Sequence, residues 1–174
     1  YDALLNSWNA LTLQNGVVFN GGNSSFSPAS ADARANIIST YGWTITDGGA
    51  ADTIAPTVAL TTTATTFAAA FAATATFSEA VTGFALDDIT VANGIASNFA
   101  ATSTSVYTFD VTPVADGAVA VDVAGSVAID AAGNYNIVAP QLSVTYDATG
   151  PTVALTTTAT TFAAAFTATA TFSE

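Results

Sequence analysis

The sequence predicts an all-β fold, an antiparallel Greek-key sandwich preceded by a small α/β unit, and three observations carry that prediction. A 28-residue segment recurs at an offset of 95 with 24 of 28 positions identical, a spacing that fits one small β-domain per repeat. Apolar residues inside the repeat alternate with a period of two, the mark of half-buried strands. Turn signals separate these runs at Thr82-Gly83, Asn93-Gly94, Asp116-Gly117, Gly133-Asn134 and Ala139-Pro140.

The recurring segment reads DTIAPTVALTTTATTFAAAFAATATFSE at 52–79 and DATGPTVALTTTATTFAAAFTATATFSE at 147–174. A period near 95 is too long for one turn of a solenoid. The chain is therefore expected to divide into a lead segment 1–50, a sandwich 51–146, and the first two strands of a second, incomplete repeat at 147–174. The second copy stops at Glu174, so the sequence reads as an excerpt of a longer array.

In the lead segment, Ser27-Pro28 opens a predicted helix over Ser30–Thr40, with Ile37 and Ile38 free to dock on a neighbour. Val17–Phe19 and Trp43–Ile45 read as short strands. Fifty residues with so few core positions bury too little surface to fold alone. In the repeat, Phe67, Ala69, Phe71, Ala73, Ala75 and Phe77 share one parity, with Thr66, Thr74, Thr76 and Ser78 on the other. A helix would scatter those phenylalanines around its circumference; a strand aligns them. The alternation returns in Tyr107, Phe109 and Val111, in Val119, Val121 and Val123, and in Leu142, Val144 and Tyr146. About seven short strands joined by turns specify a two-sheet sandwich.

Taken in order, DTIAPTVAL, FSEAVTGFALDDITVANG, YTFDVTPVADGAVAVDV and DAAGNYN resemble the bacterial immunoglobulin-like repeats found in tandem in large surface proteins and adhesins. The resemblance implies an immunoglobulin-like Greek-key β-sandwich and an extracellular setting, at the bacterial cell surface or secreted. The lead segment, with YDALLNSW, FNGGNS, an alanine-rich AR helix and YGWTI, is similar to the last unit of BspA-type leucine-rich-repeat surface proteins. That likeness implies a small α/β leucine-rich-repeat cap.

Composition removes most catalytic chemistry. The chain has no Cys, His or Met, one cation (Arg34), 13 acidic residues and a formal net charge of -12. Histidine and cysteine catalysis, thiolate or imidazole metal sites and lysine Schiff bases are excluded. A nucleic-acid or anionic-membrane partner would need cations the chain lacks. There is no uninterrupted apolar run of about 18 residues, so direct membrane insertion by a helix is not expected. Paired carboxylates could serve a glycosidase, but Asp87 and Asp88 are adjacent on the chain and point to opposite faces of a strand. No enzymatic activity is expected.

The carboxylates cluster by topology. In an immunoglobulin-like sandwich the linker into the first strand, the turn after the second and the turn between the last two lie at one pole, which gathers Asp52, Glu79, Asp87 or Asp88, Asp130 and Asn134. Converging oxygens suit Ca²⁺, which takes six to eight oxygen ligands. The resemblance implies calcium at junctions between repeats, with Asp147 and Glu174 repeating Asp52 and Glu79 and with Asp116-Gly117 approaching from the opposite pole. The competing reading makes all of these solvated turn residues. Asp110 and Asp122 read as outward-facing strand residues, and Arg34 as paired with a nearby carboxylate or covering Trp43.

The functional expectation is a structural or adhesive module: a calcium-stiffened spacer whose partners are neighbouring repeats or other copies, and a host or environmental glycan or protein. A filament subunit joined by strand addition is the alternative, because Phe162, Phe166 and Phe172 lack a sheet of their own to cover them. A carbohydrate-binding module would need exposed aromatics, for which Trp8, Trp43 and Tyr135 are the candidates. The threonine ladders read as β-propensity combined with solubility.

Overall fold

A computed structural model describes residues 1–157, 161, 163 and 165–173. The chain divides into two compact units, Tyr1–Ala55 with Ala131–Asn134, and Pro56–Asp130 with Tyr135–Glu174. Among the described residues, no helix is long and apolar enough to cross a membrane.

The first unit contains helix α1 (Asp2–Asn9), strand β1 (Val18–Asn20), helix α2 (Pro28–Tyr41) and strand β2 (Thr44–Thr46). Strands β1 and β2 pair in parallel, Val18 with Thr44 through Asn20 with Thr46, and α2 supplies the crossover that parallel pairing requires. Pro28 sits in the first turn of α2, where its missing N–H is harmless. Gly42, at φ 65°, ends the helix in the left-handed conformation and donates to the Ile38 carbonyl. Leu5, Ala33, Ile37 and Trp43 form the core. Helix α1 was not expected from the sequence; Tyr1, Leu5 and Trp8 line one helical face and pack on this core.

Trp43 corrects an expectation. It is buried, donates its indole N–H to the Gln14 carbonyl at 2.7 Å, and packs against Trp8 with ring centroids 5.2 Å apart. It is core and cannot present a face to a sugar. Arg34 pairs with Asp47 and lies over the Phe26 ring rather than over Trp43.

The second unit runs β3 (Val58–Thr62), β4 (Thr66–Phe67), β5 (Phe71–Phe77), a 3-10 turn (Leu86–Asp88), β6 (Ile89–Ala92), β7 (Gly94–Ala101), β8 (Val106–Pro113), β9 (Gly117–Val123) and β10 (Leu142–Tyr146). Two four-stranded sheets form, in the orders β3-β5-β8-β7 and β4-β10-β9-β6. They share one core in which Phe109, Val111, Val119, Val121 and Val123 are almost wholly buried. In β5, Phe71, Ala73, Ala75 and Phe77 point inward and the threonines outward, as the alternation requires.

The expected single strand over 66–77 is in fact two. The chain leaves the β4 sheet after Phe67 and enters the other sheet at Phe71, and Ala69, expected on the apolar face, is exposed at the crossing. Rings of Phe67 and Phe71 stack across the break at 4.2 Å. Strand β4 pairs with β10 in parallel, the one departure from antiparallel pairing in these two sheets.

Beyond β10, β11 (Val153–Thr157) and β12 (Ala168–Phe172) form a two-stranded antiparallel hairpin, and every residue in it is exposed. Phe162 and Glu174 lie outside the described residues.

Candidate functional site

Within the second unit, two carboxylates are brought together by separate pieces of backbone engineering. Glu79 follows β5 and is held from both sides. Upstream, the Ser78 N–H donates to the Thr57 carbonyl at 2.9 Å and the Ser78 hydroxyl accepts the Thr57 N–H at 3.0 Å. Downstream, the Val81 N–H donates to Thr104 and the Val81 carbonyl accepts the buried Tyr107 hydroxyl at 3.3 Å.

Asp130 lies in the connection from β9 to β10. The preceding residue, Ile129, exchanges backbone hydrogen bonds with Thr82 at 2.8 and 3.0 Å, which ties this connection to the chain just past Glu79. Its shape is set by Asn136, a buried amide with all its hydrogen-bonding positions in use. The Asn136 Oδ1 accepts the N–H groups of Val127 and Ala128 at 2.9 and 2.8 Å, and Nδ2 donates to the carbonyls of Ala124 and Ile137, both at 2.9 Å. One side chain thereby satisfies four backbone groups that would otherwise be costly to bury.

The result is a Glu79–Asp130 pair whose carboxylate oxygens lie within 4.8 Å, with Asp130 only 7% exposed and Glu79 half-buried. Two negative charges at this separation repel, more strongly the less water surrounds them. The donor set fits calcium: two oxygens held at about 2.3–2.6 Å from one ion stand at most about 5 Å apart. Hard oxygen donors with no sulfur or imidazole suit Ca²⁺ over softer metals.

In the first unit, the Asp52 carboxylate accepts the Ile54 N–H at 2.9 Å, closing a local turn, and the Asp52 carbonyl accepts the Asn134 amide at 3.2 Å. Gly133, at φ 96°, supplies the turn that presents Asn134. Asp88 caps the 3-10 turn by accepting the Ala85 N–H at 2.8 Å, and Asp87 is exposed beside it. Neither belongs to the Glu79 and Asp130 pair. Asp147 closes a turn onto the Thr149 N–H at 3.1 Å, the counterpart of the Asp52 turn 95 residues earlier. Asp116 accepts the Ala148 N–H at 2.8 Å and the Thr149 hydroxyl. Asp110 and Asp122 accept from Asn98 and Gln141. Glu174 lies outside the described residues.

Sequence reasoning passed over Asn136 while singling out Asn134. The NYN string shows two amides; which one turns inward depends on the Gly133 turn before them. Asp47 was also missed, although its side chain is 2% exposed and accepts from Arg34 at 2.7 and 3.1 Å and from Tyr1 at 2.6 Å. Hydrogen bonding to Arg34 holds the Asp47 carboxyl below the usual carboxylate range, and burial, with Asp47 alongside, pushes the Tyr1 phenol up to about 12.

Two four-stranded sheets closing on one core, with the first strand of one sheet handing over to the other, define an immunoglobulin-type sandwich. A family model described as a bacterial Ig-like domain matches residues 52–146, and the chain belongs to that family. Among solved structures, the chain is similar to the N-terminal part of the bacterial S-layer protein SbsC, at 17% identity and a TM-score of 0.38, over 74% of this chain and 29% of that one. Domains 1–6 of the same surface layer protein give 16% identity and a TM-score of 0.40, over 75% and 17%. The chain thus spans less than a third of either structure. No curated protein matches the sequence.

Proposed function

We propose that this protein is a non-catalytic structural or adhesive module of a bacterial cell-surface or secreted protein, in which tandem Ig-like repeats form a spacer stiffened by calcium. Membership of the bacterial Ig-like family and the 95-residue repeat support the modular role. The observation that carries the calcium reading is the half-buried Glu79 beside the buried Asp130. Asp147 and Glu174 would serve the following repeat. When bound, the ion supplies positive charge that removes the repulsion between carboxylates and joins the segments that carry them. The helix and parallel-strand order of residues 1–50 supports a terminal leucine-rich-repeat cap. Neighbouring repeats and other copies of the chain are the expected partners, with a glycan or protein as the target of adhesion.

Thermal unfolding in millimolar Ca²⁺ and again in excess chelator tests the reading. An ion present at about 100 times its dissociation constant adds about 2.7 kcal/mol, a shift of several degrees for a domain of this size. An unchanged midpoint overturns the calcium assignment and leaves packing alone to hold the repeats in line.

A further inference from the structure

Tyr107 in β8 carries a hydroxyl into a cluster of phenylalanines. It is 6% exposed, and its ring packs against Phe77, Phe84 and Phe99 with centroids 5.8, 5.1 and 5.6 Å away. The first two contacts are edge-on and the third is stacked, so the ring is held from several directions. A phenylalanine would fill the same space, and a buried hydroxyl is costly unless it is bonded.

The partners of that hydroxyl are two carbonyls, Val81 at 3.3 Å and Thr104 at 3.4 Å, and the Thr104 carbonyl also accepts the Val81 N–H at 2.9 Å. Val81 is thus held at both of its backbone polar groups, and its side chain is buried as well. Glu79 stands two residues before it. Thr82 stands one residue after it and exchanges with Ile129 the two backbone hydrogen bonds that fix the approach to Asp130. The Thr82 hydroxyl adds a contact to the Ile129 carbonyl at 3.4 Å. The short stretch Val81–Thr82 therefore carries the position of one carboxylate upstream and, through the bridge, that of the other.

We propose that the Tyr107 hydroxyl is a positioning group for the ion site: acting through Val81, it sets the separation of Glu79 and Asp130. The inference rests on the calcium reading of that pair. Ca²⁺ holds its oxygens at about 2.3–2.6 Å, so a carboxylate carried a few tenths of an ångström away falls outside the shell. The hydroxyl governs affinity for the ion, whereas the ring governs packing of the core.

Calorimetric titration of the full chain with CaCl₂ tests this in the wild type, Y107F and V119A. Y107F keeps the ring and removes only its oxygen. V119A keeps the hydroxyl and opens the core at a residue 0% exposed, toward the far end of β9 from the Asp130 connection. Both variants are expected to unfold earlier than the wild type in chelator. Calcium affinity separates them: Y107F is expected to bind about tenfold more weakly than the wild type, and V119A within about twofold of it.

A Y107F chain that binds as tightly as the wild type overturns the positioning role and leaves the calcium reading standing. Equal weakening in Y107F and V119A overturns it too, since lost stability would then explain both. So does a Y107F chain without the wild-type far-ultraviolet spectrum, because the hydroxyl would then hold the fold itself. A wild type that binds no Ca²⁺ removes the calcium reading, and the inference with it.

Discussion

Asp116 grips Thr149: its carboxylate accepts the Thr149 hydroxyl and, at 2.8 Å, the neighbouring Ala148 N–H. The turn between β8 and β9 thereby holds the chain as it leaves β10. These hydrogen bonds keep the Asp116 carboxyl below its usual range. A depressed pKa in the fold means that the contact is present above the ordinary carboxylate value of about 3.9 and is lost as pH falls through the lowered one. An NMR titration of the Asp116 carboxyl should show a low midpoint that rises toward the ordinary value in T149V.

The Arg34–Asp47–Tyr1 group predicts both limbs of a pH profile for the first unit. Asp47 has a lowered pKa, so its contribution is lost in acid below the usual carboxylate range. Tyr1 has a raised one, so its contribution is present below pH 10 and is lost as pH rises through about 12. Arg34→Ala leaves a largely buried carboxylate without its ion pair and should destabilise this unit by about 2–4 kcal/mol. Both tryptophans, Trp8 and Trp43, lie in this unit, so fluorescence during denaturant unfolding reports on it selectively.

For the second unit, Asn136→Ala removes the partner of two N–H groups and two carbonyls at once. The expected loss is about 3 kcal/mol, read from the shift of the circular-dichroism unfolding midpoint. Asn136→Asp keeps the two accepted bonds and loses the two donated ones, so it should fall between Ala and wild type.

Glu79→Gln should cancel the calcium response. The prediction is a difference between midpoints with Ca²⁺ and with chelator that shrinks from several degrees to zero, while the far-ultraviolet spectrum stays that of the wild type. A full calcium shift in this variant would remove Glu79 from the ligand set.

The strands were legible because their signal is local. Phe71 to Phe77 and Val119 to Val123 declare their inner face by parity alone, with no knowledge of the opposing sheet. The break at Ala68–Ala70 was not legible: Phe67 and Phe71 keep the same parity whether the strand continues or crosses to the other sheet. Helix α1 offered only Tyr1, Leu5 and Trp8 as a periodic signal, too short a run to read. Burial of Trp43 depends on its partners Gln14 and Trp8, which the sequence does not place beside it. That acidic residues gather at strand ends could be read from the sequence; which of them meet is decided by the Gly133 turn, the Asn136 amide and the Thr82–Ile129 bridge, all tertiary features.

The parallel pairing of β4 with β10 has a mechanical consequence. Strand β4 lies near the start of the sandwich and β10 at its end, and they are joined by the Thr145 N–H to Thr65 at 2.8 Å and the Asp147 N–H to Phe67 at 2.9 Å. Tension that draws the beginning of β4 and the end of β10 apart loads these bonds along the strands, in shear, so that they must fail together. An antiparallel pair pulled from one end would instead open like a zipper, one bond at a time. The sandwich is thus wired to resist stretching along the very direction in which a string of such repeats would be pulled.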